Sequence, residues 1–198
     1  MCIIIVKPQG VKLPSDNLLR RAAACNRDGF GFMTEDGVVY HSMNIDLFLA
    51  VLHRCESKDK AVAIHFRMAT HGSVSLKNCH PFNYRNEIIM MHNGVLPIES
   101  KNDMTDSEIY LHKVGEKVLR GGLTSPAAAK AFNVSGSRFA VCDVRTRRIA
   151  MYGDFTPIKG VYFSNLRPFY AGGLVVNNGR LDYQKSEKFD FDYSTMFF

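Results

Sequence analysis

A chain of 198 residues with 46% hydrophobic and 22% charged residues is long enough for one sizeable core and has an ordinary globular balance; a fibrous, low-complexity or disordered chain is excluded. Its formal charge of +6 is dispersed, with Arg20-Arg21 and Arg145 to Arg148 as the only local basic clusters; these fall on the polar face of an expected helix and in an expected hairpin turn, so neither nucleic acid nor a membrane is the expected partner. The apolar run Cys2 to Val6 is too short for a secretion signal, and five cysteines without paired spacing argue against a disulfide framework, so a reducing, cytoplasmic setting is expected.

Met1 to Val6 reads as a buried strand at the start of the chain, where ends fray unless tied down. Ser15 is a helix cap before Leu18, Leu19, Ala22 and Ala23, which share one face. Gly29 to Met33 and Val38 to Tyr40, joined by Glu35-Asp36-Gly37, form a hairpin pattern. Helical spacing follows over Ile45 to Cys55 through Phe48, Leu49 and Leu52, then strands at Ala61 to Phe66 and Glu87 to Met91. Thr105 to Arg120 is the longest helix signal and stops at Gly121-Gly122. A second hairpin is expected from Arg138 to Val144 and Arg148 to Tyr152, and further strands at Val161 to Ser164 and Gly173 to Asn177. Strands and hairpins with helices set between them, without regular βαβ alternation, favour an α+β fold. No repeat or linker interrupts residues 1–198, so a single domain is expected.

Cys2 is the first residue with distinctive chemistry. A small side chain after the initiator permits removal of Met1, leaving Cys2 with a free α-amine. Such an amine titrates at about 7.7–8.0 and a thiol at about 8.5, so one residue supplies a nucleophile and a base suited to neutral pH. The plainer alternative is a cysteine that packs in a buried strand.

The central segment narrows the choice: His65-Phe66-Arg67-Met68-Ala69-Thr70-His71-Gly72, Asn78-Cys79-His80-Pro81-Phe82, His92-Asn93-Gly94 and Thr105-Asp106-Ser107-Glu108. Each piece has an ordinary structural explanation. Asn93-Gly94 suits a type I′ hairpin turn, Thr105 with Glu108 makes a capping box, Asp106 suits a helix dipole, His65 suits a core position, and Arg67 can pair with any carboxylate. Metal binding by Cys2, Cys25, Cys79, His71, His80 and His92 is disfavoured because neither C-x-x-C nor H-x-x-x-H spacing occurs.

Taken in order, Cys2, the glycine-containing turn, Arg67-x-Ala69-Thr70-His71-Gly72, Asn78-x-His80-Pro81, His92-Asn93-Gly94 and Thr105-Asp106-Ser107-Glu108 resemble the glutaminase domain of class II glutamine amidotransferases, over roughly the first 110 residues. The resemblance implies a four-layer αββα sandwich of the N-terminal nucleophile hydrolase type, and glutamine hydrolysis to glutamate and ammonia through a Cys2 thioester, without metal or organic cofactor. It implies Cys2 as nucleophile with its own α-amine as base, and Asn93 and Gly94 as the oxyanion hole. Arg67 would clamp the substrate carboxylate, with Arg85 the next candidate, and Asp106 would receive the ammonium, with Asp103 as a competitor. Thr70 and His71 would line the pocket, and Gly29 or Gly31 would bring the turn near the nucleophile.

About 90 residues follow Glu108, too few for the ammonia-using domain often fused in this family. A stand-alone glutaminase served by a separate synthase or ligase subunit is therefore expected. The aromatic and acidic tail Phe189 to Phe198 is a candidate docking feature, with an edge strand as the plainer alternative. An amidohydrolase acting on another γ-glutamyl or peptide-like amide, or a catalytically silent binding module, are the rival functions. Arg67 with Asp106, matched to the two charges of a free amino acid, favours glutamine.

Overall fold

The computed structural model describes residues 1–69, 73–100, 104–170, 174–177 and 180–183, the last two stretches as backbone alone. Its layers follow from strand alternation. In β1 (Ile3–Lys7) every residue is buried, and successive side chains point to opposite faces. Ile3 and Ile5 pack with helices α1 (Asp16–Cys25) and α2 (Ile45–Cys55) through Leu18, Leu19, Phe48 and Leu52. Ile4 and Val6 pack the other way, against Ile89, Met91, Ala140 and Cys142 of a second sheet. A strand covered on both faces reads as a continuous apolar run, and Cys2 to Val6 does so.

Around β1 the first sheet adds β2 (Phe30–Thr34), β3 (Val39–Ser42), β4 (Val62–Phe66), β9 (Thr156–Ile158) and β10 (Val161–Phe163) in the order β3-β2-β4-β1-β10-β9. The second holds β5 (Phe82–Tyr84), β6 (Ile88–Asn93), β7 (Arg138–Asp143) and β8 (Arg148–Tyr152) in chain order. Every pairing in both is antiparallel. Helices α3 (Asp106–Gly121) and α4 (Pro126–Phe132) cover the far face of the second sheet through Leu111, Val118, Ala128 and Phe132. A short α5 (Arg167–Tyr170) adds Phe169 to the first core, and β11 (Leu174–Asn177) pairs with β12 (Arg180–Tyr183). The fold is thus mixed α and β, with two antiparallel sheets. No described helix is long and apolar enough to cross a membrane.

Local signals held where they were chemically explicit. Ser15 Oγ accepts from Leu18 N, and α1 buries Leu18, Leu19, Ala22 and Ala23. Helix α2 runs over the residues its periodicity indicated. Thr105 Oγ1 caps α3 by accepting from Glu108 N at 3.2 Å, but the reciprocal half of the capping box is missing: buried Glu108 Oε2 has no partner among the described residues. Asn93-Gly94 is no hairpin turn. Asn93 ends β6, opposite Arg138 of β7, and the chain leaves Gly94 for α3.

Short elements were missed. Helix α4 carries its start signal in plain view, a Ser125 cap and Pro126 in the first turn. By contrast, β5, β9 and α5 span three or four residues each, too few for any periodicity to register. The strand expected from Gly173 appears from Leu174, Gly173 itself lying outside the described residues, as do Thr70, His71, Asp103 and the tail Phe189 to Phe198.

One glycine is required by close approach. A Cβ on Gly31 would lie 1.9 Å from the backbone oxygen of His80, and backbone cannot yield as a flexible side-chain end can. Gly31→Ala is therefore expected to destabilise the protein by at least about 3 kcal/mol, the upper end of ordinary overpacking costs, read as a lowered urea midpoint; a midpoint equal to wild type would refute this packing.

Candidate active site

Parity along the strands assembles the site. Cys2 precedes Ile4 and Val6 by even steps, so it belongs to the face of β1 that looks into the space between the sheets. His65 of β4 pairs with Ile4 on that face, and its Nε2 donates across the gap to His92 O at 3.2 Å. The inter-sheet layer turns polar toward the Cys2 end. There Cys2, Arg67, Met68, Ala69, Asn78 and His80 from one side meet His92, Gly94, Thr105, Asp106 and Ser107 from the other around one small cleft.

The main chain of Cys2 is held on both sides. Asn165 Nδ2 donates to Cys2 O, and Asn26 Nδ2 donates to Met1 O at 3.0 Å. Beside it, the Gly29 carbonyl accepts from Arg67 N at 2.8 Å, and Asp28 Oδ2 accepts from Ala69 N at 2.7 Å. These bonds continue the β2–β4 pairing past the strand ends and fix the Arg67-Met68-Ala69 turn next to the thiol, which donates to Met68 O at 3.6 Å.

Strand β6 splits its last two side chains between faces. Asn93 is fully buried toward the first sheet, where Nδ2 donates to Ser164 Oγ at 3.0 Å. The same hydroxyl accepts from Ile4 N at 2.8 Å, so Asn93 is tied to the strand that carries Cys2. An amide nitrogen has two hydrogens, and this bond uses one of them. Gly94 follows at φ +154° and lines the cleft, and a Cβ there would meet Ser137 Oγ at 2.6 Å and His92 Nε2 at 2.9 Å, so glycine is required.

His92 points to the helix side, stacked on Phe139 at 4.6 Å. Its Nδ1 lies 2.9 Å from Ser107 Oγ and its Nε2 3.0 Å from Ser137 Oγ. Asp106 Oδ1 accepts from Ser107 N at 2.7 Å and from Ser107 Oγ at 3.2 Å, while Oδ2 accepts from Leu96 N at 3.1 Å. With Ser107 donating to Asp106, His92 Nδ1 must be the donor to Ser107, which makes Nε2 the acceptor from Ser137. The carboxylate is thus oriented by a directed chain of hydrogen bonds.

Residues 40–120 match the family model of the class II glutamine amidotransferases. The matched stretch carries Arg67, Asn93, Gly94 and Asp106, four residues that meet at or directly beside the cleft. Over this stretch the chain is similar to the class II glutamine amidotransferases. Cys2, Gly29 and Gly31 precede the matched stretch, and no curated protein matches the sequence.

The cleft includes Cys2, Arg67, Gly94 and Asp106 from the sequence reading, with Asn93 beside its lining. Gly29 and Gly31 lie outside the lining; each gives room to the Cys79-His80 segment, where a Cβ would collide with Cys79 Sγ or His80 O. Arg85 stands elsewhere, paired with Glu116 of α3 at 2.7 Å. Arg67 is almost fully buried and donates through Nη1 to Ser73 O at 3.0 Å. Among the described residues no three His, Cys, Asp or Glu side chains converge as a metal site. A larger cavity of about 1000 Å³, bordered by Val6, Lys60, Arg148 and Tyr162, contains none of the candidate catalytic or substrate-binding residues.

Sequence reasoning missed Asn26, Ser137, Ser164 and Asn165, small polar residues in no motif, whose roles depend on strands distant in the chain. Burial is the main electrostatic influence on the site. It pushes the Cys2 thiol above its usual value, against the lowering effects of the Met68 carbonyl, the terminal ammonium and Arg67, so the thiol needs a base. Burial also lowers His65 to about 3 and His92 to about 4, the latter partly offset by Asp106, and holds His80 well below its usual range.

These histidines make stability acid-sensitive. Their folded values lie below the unfolded value of about 6.5, so the stability they contribute is complete above that pH and is lost as pH falls toward 4 and 3. Urea unfolding between pH 7.5 and 5 is expected to show a loss approaching about 1.4 kcal/mol per pH unit for each such histidine. His92→Gln should flatten the slope by one share, and a pH-independent midpoint in the wild type would refute the neutral cluster.

Proposed function

We propose that this chain hydrolyses the side-chain amide of glutamine through a thioester on Cys2, after removal of Met1. The observation that carries the reading is the convergence of Cys2, Arg67, Gly94 and Asp106 on one cleft. The fold we assign is the four-layer αββα sandwich of the N-terminal nucleophile hydrolases, supported by two stacked sheets with helices packed on both outer faces.

In this mechanism the α-amine of Cys2 takes the thiol proton as Sγ attacks the δ-carbonyl carbon. The oxyanion receives the free Asn93 Nδ2 hydrogen and the Gly94 N–H, donors fixed before the reaction begins. Collapse of the tetrahedral intermediate breaks the C–N bond, and the amine returns the proton to the departing ammonia. Water then attacks the thioester and releases glutamate. Arg67 offers a planar fork to the α-carboxylate, and Asp106, oriented by Ser107 and Leu96, receives the α-ammonium. We assign Thr70 and His71, outside the described residues, to substrate binding on the motif alone, and Gly29 and Gly31 leave room for the Cys79-His80 wall.

Ammonia released into water is diluted and protonated, so we assign its use to a separate synthase or ligase subunit, with glutamine as the substrate of this domain. Five free thiols support a reducing, cytoplasmic setting.

Intact mass should give a mature chain beginning at Cys2. In that form Cys2→Ala should abolish glutamate release, and Asn93→Ala should lower kcat by about 10²–10³, the usual effect of losing one oxyanion donor. Glutamate release by Cys2→Ala at the wild-type rate would refute the nucleophile. Arg67→Lys should raise KM for glutamine more than it lowers kcat, because the contact is present in ground and transition states alike. An unchanged KM would instead favour the reading in which another γ-glutamyl or peptide-like amide is the substrate.

A further inference from the structure

We propose that Asn26 positions the α-amine of Cys2 once Met1 has gone, a role that rests on the reading of Cys2 as an N-terminal nucleophile. Asn26 follows the last turn of α1, and its backbone N–H closes that helix on Ala22 O at 3.0 Å. Its side chain is fully buried in a direction unrelated to capping. One Nδ2 hydrogen bond, to Phe66 O at 3.0 Å, anchors the amide at the end of β4. The other goes to Met1 O, also at 3.0 Å. Oδ1 is buried and has no partner among the described residues.

This arrangement is incomplete while Met1 is attached and becomes complete when it leaves. Hydrolysis of the Met1–Cys2 peptide removes the carbonyl that Nδ2 now contacts and leaves an amine on the atom next to it. The neutral amine has a lone pair and two hydrogens. Asn26 then has a freed Nδ2 hydrogen for the lone pair, or an Oδ1 for an N–H, in the same anchored side chain. Because an amide is uncharged, it can orient the amine without favouring its protonated form, as a carboxylate would. Asn165, bonded to Cys2 O, fixes the other side of the residue, leaving rotation about the bonds from Cα to the amine and thiol as the freedom that Asn26 restricts. The mechanism needs this restriction, since the amine must face Sγ to accept its proton.

The ionisable groups around Cys2 are Arg67, Asp106 and Cys79, with Asp28 bonded to the adjacent turn, Arg167 against Met68 and the neutral His65 and His80 on the same face. All are unchanged in Asn26 variants, so a difference in pH profile isolates the amide. In processed protein, Asn26→Ala should lower kcat at least ten-fold with KM for glutamine within about two-fold, since Asn26 touches no substrate. Asn26→Asp, nearly isosteric, should move the acidic limb of kcat/KM to higher pH by stabilising the ammonium. Folded, processed variants with wild-type kcat and an unmoved limb would overturn the proposal. A measurement on the wild type serves where a variant fails to fold: in ¹⁵N-labelled processed protein the Asn26 side-chain amide signals should titrate together with the Cys2 amine, and signals that stay flat would equally overturn it. If processed wild-type protein releases no glutamate, the glutaminase reading falls, while the titration still decides whether Asn26 holds the amine.

Discussion

The constraint on which the rest depends is the face-to-face packing of two sheets around β1. Its residues are buried on both sides, so Ile3 and Ile5 anchor one helical layer while Ile4 and Val6 fill the space between sheets. A shift of one residue would exchange the two faces and carry Cys2 away from Arg67, Gly94 and Asp106. Five consecutive residue pairs with β4, from Ile3 opposite Phe66 to Lys7 opposite Val62, make that shift costly. The position of Cys2 is therefore a consequence of core packing.

The second sheet delivers the remaining groups by the same rule. β6 sends Asn93 toward the first sheet and His92 toward α3, so two adjacent residues serve different parts of the site. Ser164 binds Ile4 N and Asn93 Nδ2 at once, linking the strand that follows Cys2 to the proposed oxyanion donor. Ser107 links His92 to Asp106. Because the contacts are made by short side chains on strands or on the first turn of a helix, the geometry is held with little rotamer freedom.

Buried polar groups are numerous here, and several lack partners among the described residues: His65 Nδ1, both ring nitrogens of His80, Asn93 Oδ1 and Asn26 Oδ1. Leaving such atoms unbonded costs about 1–3 kcal/mol each. His80 lines the cleft, and Asn93 lies directly before Gly94, which does so too.

The sequence by itself determined the explicit local features: the Ser15 and Thr105 caps, the apolar faces of α1, α2 and α3, the doubly buried run of β1, and the motif residues Arg67, Asn93, Gly94 and Asp106. These are legible because each depends on neighbours within a few positions, or on a motif whose residues are close in the chain. The tertiary structure alone decided which alternative the ambiguous pieces took. Asn93-Gly94, a good hairpin turn locally, became the end of a strand because β7 pairs through to Arg138 opposite Asn93. Gly31 became a packing requirement because the His80 backbone crosses β2. Asn26, Ser137, Ser164 and Asn165 gained their roles from partners 25 to 163 positions away, and no local pattern encodes contacts of that range. Their meaning comes from the register of paired strands, which is set by the cooperative burial of the whole core.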